Sequence, residues 1–424
     1  MSAPNAGRRQ PLPRQPVEAV IDGFTHGGEG VARLEGKAVF VPGTIPGERV
    51  RLRVTDDRKR WARADLVEVL EPSADRVTPP CPYVPDCGGC DLQHIAPDAQ
   101  RQLKTRVVIE QLERLGGLTD PPVRPCRAVG PDVGYRTHAQ LHADDDGRLG
   151  FHRAGSHDVV PIDRCLVLTD ATQAVRDAVG DDTGAVEVAL RAHEATGTAT
   201  AQLTPGPGPL ELPDGGFDVV LTQPNGSTVA LRGDGELAEE IDGLSFGFDA
   251  SSFFQVTTHG AHAIIEAVLD AVGQIRGALV WDLYAGVGLL SLPLVRAGAE
   301  VVAVEGHPPA AAHAVTNAAE NNLDLEVVAE DVATMTARAA GPTPDRDPPD
   351  VVVLDPPRSG AGAQVIEDLT RVAPASIVYV ACDVAALARD TRLLTGQGYR
   401  LVAAIPLDLF PMTHHVEVVA TFAR

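Results

Sequence analysis

From residue 251 onward the chain alternates short apolar runs with helical stretches, and this alternation constrains the fold more than any other feature. Seven runs rich in Val, Ile and Ala have the length of buried strands, and helical segments fill most of the gaps between them. Strands that alternate with helices form a mostly parallel sheet that is covered on both faces. A short loop separates the last two runs, which permits an antiparallel hairpin at the edge. We therefore expect a doubly wound α/β domain over residues 251–424.

The carboxyl ends of the first three strands carry the features of a nucleoside site. Gly286 and Gly288 form a tight turn before a helix N-terminus, where backbone can approach a ligand. The second strand ends in Glu305, which is placed to bind ribose hydroxyls, and Asp331 after the third is placed to meet an adenine amino group. Ser291 stands where the dinucleotide fingerprint has its third glycine. The pattern favours S-adenosylmethionine over NAD, with ordinary strand-end acids as the alternative.

The fourth, fifth and last strands supply a second set of reactive groups. Asp355 precedes two prolines that stiffen the backbone, and Arg358 stands where an aromatic residue would indicate methylation of an amino group. Cys382 follows the fifth strand, and Glu417 lies in the last one. A thiolate that adds to carbon 6 of a pyrimidine activates carbon 5, and a base must then remove the carbon 5 proton. The alternatives are that Cys382 is a buried structural thiol and that Glu417 points outward from an edge strand.

Five further cysteines lie before residue 166, and four of them have the spacing of a metal site. Cys81, Cys87 and Cys90 follow a C-x5-C-x2-C pattern, and Cys165 comes later. A reducing cytosol argues against a disulfide framework. Four thiolates can hold an iron–sulfur cluster or zinc. Cys126 remains as a free or buried thiol.

The N-terminal region has a different pattern and a different charge. Residues 17–71 contain about five short β-like runs with glycine turns, which is typical of a small OB-type barrel. The net charge is −22 for the whole chain but about +2 over residues 1–72. We expect the basic loop with Lys59, Arg60 and Trp61 to contact nucleic acid, although a barrel that serves packing alone is the alternative.

The remaining segments give weaker predictions. Residues 1–13 are expected to be a disordered leader, and residues 73–250 a mixed region with a helix near residues 97–115 and an antiparallel sheet. No secretory signal and no uninterrupted apolar stretch of membrane-spanning length occurs. We therefore expect a cytoplasmic, monomeric protein that does not enter membranes.

Taken together, these motifs resemble the RNA uracil-5-methyltransferase family, specifically its ribosomal-RNA members with a TRAM domain and an iron–sulfur cluster. The resemblance covers nearly the whole chain after the leader. It is carried, in family order, by CPYVPDCGGC with Cys165, SSFFQV, DLYAGVGLLSLPL, VVVLDPPRSGAG, VYVACD and HHVEVVATF.

The resemblance implies a role for each of these segments. It implies a TRAM domain over residues 14–72, a central iron–sulfur and RNA-recognition domain over 73–250, and a methyltransferase domain over 251–424. It also implies that Cys382 is the nucleophile, that Glu417 is the base, and that a [4Fe-4S] cluster is held by Cys81, Cys87, Cys90 and Cys165. The implied S-adenosylmethionine contacts are Gln255, Tyr284, Glu305, Asp331 and Asp355.

The chain departs from the family pattern around the nucleophile. The family has Ser-Cys-Asn-Pro there, whereas this chain has Ala381, Cys382, Asp383 and Val384. An aspartate beside the thiol is expected to disfavour the thiolate if it is close and charged. The expected function is methylation of uracil carbon 5 in ribosomal RNA. The alternatives are a transfer-RNA enzyme of the same family and a non-catalytic RNA-binding iron–sulfur protein.

Overall fold

The N-terminal region is a closed five-stranded barrel. The computed structural model describes residues 12–13 and 15–424, so most of the predicted leader, residues 1–11, lies outside the described residues. Alternate residues of the strands point inward, and their side chains form a separate core. Leu12 is buried in that core, and its N–H donates to Asp57 at 2.9 Å, so the barrel includes residues that were assigned to the leader. In the order β1-β2-β3-β5-β4, the strands are β1 (Val17–Phe24), β2 (Gly30–Leu34), β3 (Lys37–Val41), β4 (Arg49–Asp57) and β5 (Trp61–Glu71).

The middle region contains two helices, a seven-stranded sheet and a separate hairpin. The sheet has the order β13-β12-β11-β10-β7-β8-β9. The prediction of an antiparallel sheet is wrong for one pair, because β11 and β12 run parallel. The connection between them, residues 206–217, is long enough to carry the chain back to the same end of the sheet. The elements are α1 (Pro97–Arg114), β6 (Arg127–Ala128), β7 (His138–Ala143), β8 (Leu149–His152), β9 (Val159–Pro161), α2 (Asp170–Val179), β10 (Ala185–His193), β11 (Thr198–Pro205), β12 (Asp218–Thr222), β13 (Thr228–Arg232), β14 (Glu236–Ile241) and β15 (Leu244–Asp249).

The C-terminal region has the predicted doubly wound sheet, in the order β18-β17-β16-β19-β20-β22-β21-β6. The first five of these strands pair in parallel, whereas β22 is antiparallel to both β20 and β21. The last strand therefore lies inside the sheet and not at its edge. The elements are α3 (Thr258–Val272), β16 (Leu279–Leu283), α4 (Ser291–Arg296), β17 (Glu300–Glu305), α5 (Pro308–Glu320), β18 (Glu326–Ala329), α6 (Val332–Ala339), β19 (Val351–Leu354), α7 (Ala363–Val372), β20 (Ser376–Ala381), α8 (Val384–Gly396), β21 (Arg400–Asp408) and β22 (Glu417–Ala423).

The core of the C-terminal region extends beyond the predicted boundary at residue 250. Phe246 and Phe248 of the β14–β15 hairpin pack with Ile264 of α3 in one buried cluster. On the other face of the sheet, Val108 and Leu112 of α1 pack with the C-terminal strands. Both α1 and the hairpin therefore belong to the C-terminal core by packing. No helix in the described part of the chain is long and apolar enough to cross a membrane.

Candidate active site

A cavity of about 650 Å³ opens at the carboxyl edge of the C-terminal sheet. Six of the seven residues predicted as catalytic or as S-adenosylmethionine contacts line it. Asp331 does not line it, because it is exposed at the N-cap of α6, where its carboxylate accepts the N–H of Thr334 at 3.1 Å. The six lining residues are Gln255, Tyr284, Glu305, Asp355, Cys382 and Glu417.

The strand directions explain how Cys382 and Glu417 reach the same cavity. Cys382 directly follows β20, and Glu417 is the first residue of the antiparallel neighbour β22. The end of one strand therefore lies beside the start of the other. Glu417 is 3% exposed, and its Oε1 has no hydrogen-bond partner among the residues that the structure describes. An outward-facing acid is thus excluded, and a buried, unpaired carboxyl of this kind is typical of functional sites.

Burial and the charges of neighbouring acids raise the pKa values of Cys382, Asp355 and Glu417. The pKa of Cys382 rises to about 12, first because the thiol is buried and then because Glu417 and Asp355 are close, while Arg358 lowers it. The pKa of Asp355 rises to about 7 through burial and the nearby Asp282. Burial followed by the charge of Asp355 raises the pKa of Glu417 well above its usual value. These three groups therefore favour their protonated forms.

The prediction that Asp383 would disfavour the thiolate is wrong about the cause. Asp383 is the N-cap of α8, and its carboxylate accepts the N–H of Ala386 at 2.7 Å. Its second oxygen lies 3.4 Å from Nε2 of His26, which belongs to the barrel. The Asp383 carboxylate therefore caps the N-terminus of α8. The thiol pKa is raised by burial and by Glu417 and Asp355 instead.

The predicted nucleoside side of the cavity is built on the glycine turn after β16. Tyr284 and Gly286 both adopt positive φ angles, of 63° and 57°, which turn the chain sharply into α4. The carboxylate of Glu305 accepts the N–H of Gly286 at 2.8 Å and that of His307 at 2.6 Å. These bonds hold the acid at the cavity wall. The turn, the acid and the half-buried Tyr284 ring fit a ribose and its attached groups.

A buried network positions the turn that carries Asp355 and Arg358. Asp390 of α8 accepts the hydroxyl of Tyr379 at 2.7 Å and the N–H of Ala361 at 2.9 Å. The backbone N–H of Asp355 donates to the carbonyl of Leu283 at 3.2 Å. These bonds fix both ends of the Asp-Pro-Pro-Arg turn against the sheet.

Several further lining residues were not assigned a role from the sequence. They include Arg136 from the middle region, Phe253 two positions before Gln255, and Phe410 and His415 from the loop before β22. Phe253 is 67% exposed, which is unusual for a large apolar side chain and suits a base-stacking surface. The segment SSFFQV contains Phe253 and could have indicated this residue from the sequence. His415 lies in the quoted segment HHVEVVATF, whereas Arg136 and Phe410 lie in no quoted segment and reach the cavity through tertiary packing.

The four spaced cysteines line a second cavity, of about 210 Å³, and Arg136 lies in the wall of both cavities. Burial, followed by the charges of neighbouring cysteines, raises the pKa of Cys90 to about 12, although a bond from Gln93 opposes this. A Cβ on Gly88 would lie 2.8 Å from the carbonyl oxygen of His152, so this turn requires glycine. Among residues 12–13 and 15–424, no three His, Cys, Asp or Glu side chains converge closely enough to hold a single metal ion. Cys126 is buried elsewhere, in the C-terminal core.

A groove of about 1040 Å³ runs between the barrel and α1. Phe40 and Trp61 lie in its wall with their ring centroids 6.1 Å apart, and Arg33, Arg63 and Arg114 also line it. Of the predicted contact loop, Trp61 faces the groove, whereas Lys59 and Arg60 are exposed in the turn before β5 and do not line it. Aromatic rings beside arginines fit a single-stranded nucleic acid.

The chain is similar to known methyltransferases over almost its whole length. Residues 12–67 match the TRAM domain family, and residues 239–424 match the family described as tRNA (Uracil-5-)-methyltransferase. The chain is 37% identical to an uncharacterized RNA methyltransferase of Streptomyces coelicolor, covering 95% of this chain and 92% of the relative. It is 36% identical to a 23S rRNA (uracil(1939)-C(5))-methyltransferase of Alkalilimnicola ehrlichii, covering 98% of both.

One solved structure matches nearly the whole chain. It is the tRNA (uracil-54, C5)-methyltransferase of Pyrococcus abyssi in complex with S-adenosyl-L-homocysteine, with a TM-score of 0.75 and 26% identity. The match covers 96% of this chain and 99% of that one.

Proposed function

Since the chain belongs to the RNA uracil-5-methyltransferase family and is an S-adenosylmethionine-dependent enzyme, we propose that it methylates a uridine of ribosomal RNA through a covalent bond to Cys382. The observation that carries the proposal is that Cys382, Glu417 and Asp355 line one cavity with Glu305. A thiol, a buried carboxyl with an unpaired oxygen and a nucleoside site are the three parts that carbon 5 methylation needs.

In the proposed reaction, the chain's own side chains move the protons. Cys382 loses its proton and its sulfur adds to carbon 6 of the uracil, which places negative charge on carbon 5 and the adjacent carbonyl oxygen. Asp355, which the resemblance implies is a cofactor contact, lines the same cavity and is placed to accept the thiol proton. Arg136 and Arg358 line the cavity and can stabilise the charge on the uracil oxygen.

When bound, S-adenosylmethionine supplies the electrophilic methyl group that carbon 5 takes up. Glu305, Tyr284 and Gln255 are the residues that would hold it. Glu417 then removes the proton from carbon 5, and the electron pair left behind expels the sulfur of Cys382. Glu417 must be ionised to accept this proton. Because the pKa of Glu417 is raised, its ionisation depends on the charges that the bound RNA and cofactor bring into the cavity.

Ribosomal RNA is the favoured substrate because of the relative in Alkalilimnicola ehrlichii and the TRAM match. Transfer RNA is the second candidate, supported by the likeness to the Pyrococcus abyssi enzyme. The test is methyl transfer from radiolabelled S-adenosylmethionine to unmodified 23S rRNA and tRNA transcripts, with the product mapped as 5-methyluridine. Label in tRNA alone would reject the ribosomal proposal, and label in neither would favour a non-catalytic RNA-binding protein.

We also propose that Cys81, Cys87, Cys90 and Cys165 hold a [4Fe-4S] cluster. An all-cysteine donor set that lines one cavity supports it. Four cysteine thiolates are also a donor set for zinc, so the metal content decides between the two. Protein purified without oxygen should show broad absorbance near 400 nm and about four irons per chain. Stoichiometric zinc without iron would reject the cluster.

A further inference from the structure

The loop between β21 and β22, residues 409–416, forms part of the wall of the catalytic cavity. Phe410 and His415 face the cavity, and Glu417 follows directly at the start of β22. Because Oε1 of Glu417 has no hydrogen-bond partner in the described chain, no polar contact at that atom fixes its direction. The backbone of Glu417 pairs with Leu407 of β21, so the sheet and the preceding loop together determine where this carboxyl lies.

The loop is held by the cysteine-rich segment of the middle region. The N–H groups of Asp91 and Leu92 donate to the carbonyl of Met412 at 3.1 and 3.0 Å. One carboxylate oxygen of Asp91 accepts the N–H of His414 at 2.9 Å, and the other is paired with the His414 ring. Asp91 directly follows Cys90 in the chain.

The tip of the loop also packs against the cysteines themselves. Met412 is buried in a small cluster with Tyr135 and Val167, and Cys90 and Cys165 pack against that cluster. The hydroxyl of Tyr135 donates to the carbonyl of Pro411 at 2.9 Å. Met412 has a φ of 67°, an unfavourable angle for a residue with a side chain, which persists only where the surroundings impose it.

We propose that Asp91 is a positioning residue. It couples the cysteine centre, which consists of Cys81, Cys87, Cys90 and Cys165, to the step in which Glu417 removes the carbon 5 proton. The cysteine centre then has a structural task, which is to hold residues 409–416 so that Glu417 points at carbon 5 of the bound uracil. Cys382 lies between β20 and α8, outside this loop, so its addition to the base does not need the coupling. The inference rests on the proposed function, because it assigns Asp91 to one step of that reaction.

The test compares Asp91→Ala, Asp91→Asn and His414→Ala in the cluster-loaded protein. Asp91→Ala should lower kcat by about 10–100-fold, as is typical when the support of a functional group is removed. The covalent protein–RNA adduct should accumulate during turnover, and hydrogen exchange in peptides covering residues 409–416 should become faster. His414→Ala breaks the side-chain pair from the far side and should give the same pattern with unchanged iron content. Asp91→Asn keeps an acceptor for the His414 N–H and should recover part of the activity.

Asp86→Ala is the matched control, since Asp86 lies in the same cysteine-rich segment but pairs with Arg153 on the surface. It should leave kcat, adduct level and exchange unchanged. Normal kcat and no extra adduct in both Asp91→Ala and His414→Ala would overturn the inference. A Glu417→Gln protein that forms no adduct would instead reject the proposed function. If Asp91→Ala loses iron, His414→Ala alone decides between these outcomes.

Discussion

The thiol of Cys382 should react slowly with alkylating agents at neutral pH. Its pKa is about 12 because the thiol is buried and because Glu417 and Asp355 are near. An ordinary thiol with a pKa of about 8.5 is roughly one quarter ionised at pH 8, whereas a pKa near 12 leaves a fraction of about 10⁻⁴. The alkylation rate at pH 8 should therefore be about three orders of magnitude below that of an exposed cysteine. It should rise about tenfold with each pH unit from 7 to 10.

Iodoacetamide labelling followed by trypsin digestion and mass spectrometry measures this rate directly, because the tryptic peptide 372–389 contains Cys382 and no other cysteine. Two variants should move the rate in opposite directions at fixed pH. Glu417→Gln removes an acid whose ionised form raises the thiol pKa, so it should speed labelling at the pH values where Glu417 is ionised, whereas Arg358→Gln removes a cation that lowers the thiol pKa and should slow labelling. Cys126 is an internal reference, since its pKa of about 12 arises from burial and from Asp408. A plateau below pH 9, or variants that shift together, would refute this account of the cavity.

Three further predictions concern the surroundings of the site. Glu305→Ala removes the carboxylate that holds the glycine turn. Calorimetry should find that S-adenosylmethionine binds at least about tenfold more weakly while the RNA affinity is unchanged. Unchanged cofactor affinity would contradict the assignment. Trp61→Ala should weaken RNA binding by about 1–3 kcal/mol in filter assays, the value of one stacked base, while the exposed barrel variant Val20→Ala should bind normally. Tyr379→Phe removes a hydroxyl that donates to the buried carboxylate of Asp390. It should lower the free energy of unfolding, measured by urea titration, by about 1–2 kcal/mol. An identical urea midpoint would argue against this network.

The sequence predicted the fold well wherever the signal was local. The alternation of strands and helices predicted the parallel sheet, and the position of each acid or thiol after a strand predicted which side chains meet at one edge. The family is confirmed as well. Glu305, Asp355 and Cys382 line one cavity for this reason, whereas Gln255 and Tyr284 were assigned from the family resemblance and Glu417 begins its strand. Asp331 differs because its carboxylate caps the next helix. The position of an acid after a strand does not show whether that acid caps a helix or binds a ligand.

Pairings between distant segments could not be predicted. The insertion of β22 between β20 and β21, which buries Glu417, depends on strand order, and a short loop between strands is compatible with either arrangement. The contact of His26 with Asp383 and that of Asp91 with His414 each join residues more than 300 positions apart. Arg136 reaches the catalytic cavity in the same way, without any pattern around it in the sequence.

The central claim is that Cys382 forms the covalent bond and Glu417 resolves it. The most direct measurement is denaturing gel electrophoresis of the protein after incubation with labelled 23S rRNA fragment and S-adenosylmethionine. Glu417→Gln should accumulate a protein–RNA adduct that carries the transferred methyl group, because nothing removes the carbon 5 proton. Cys382→Ala should bind the RNA but give neither adduct nor product. Methyl transfer to uridine by Cys382→Ala at the wild-type rate would show that the thiol is structural and would contradict the account.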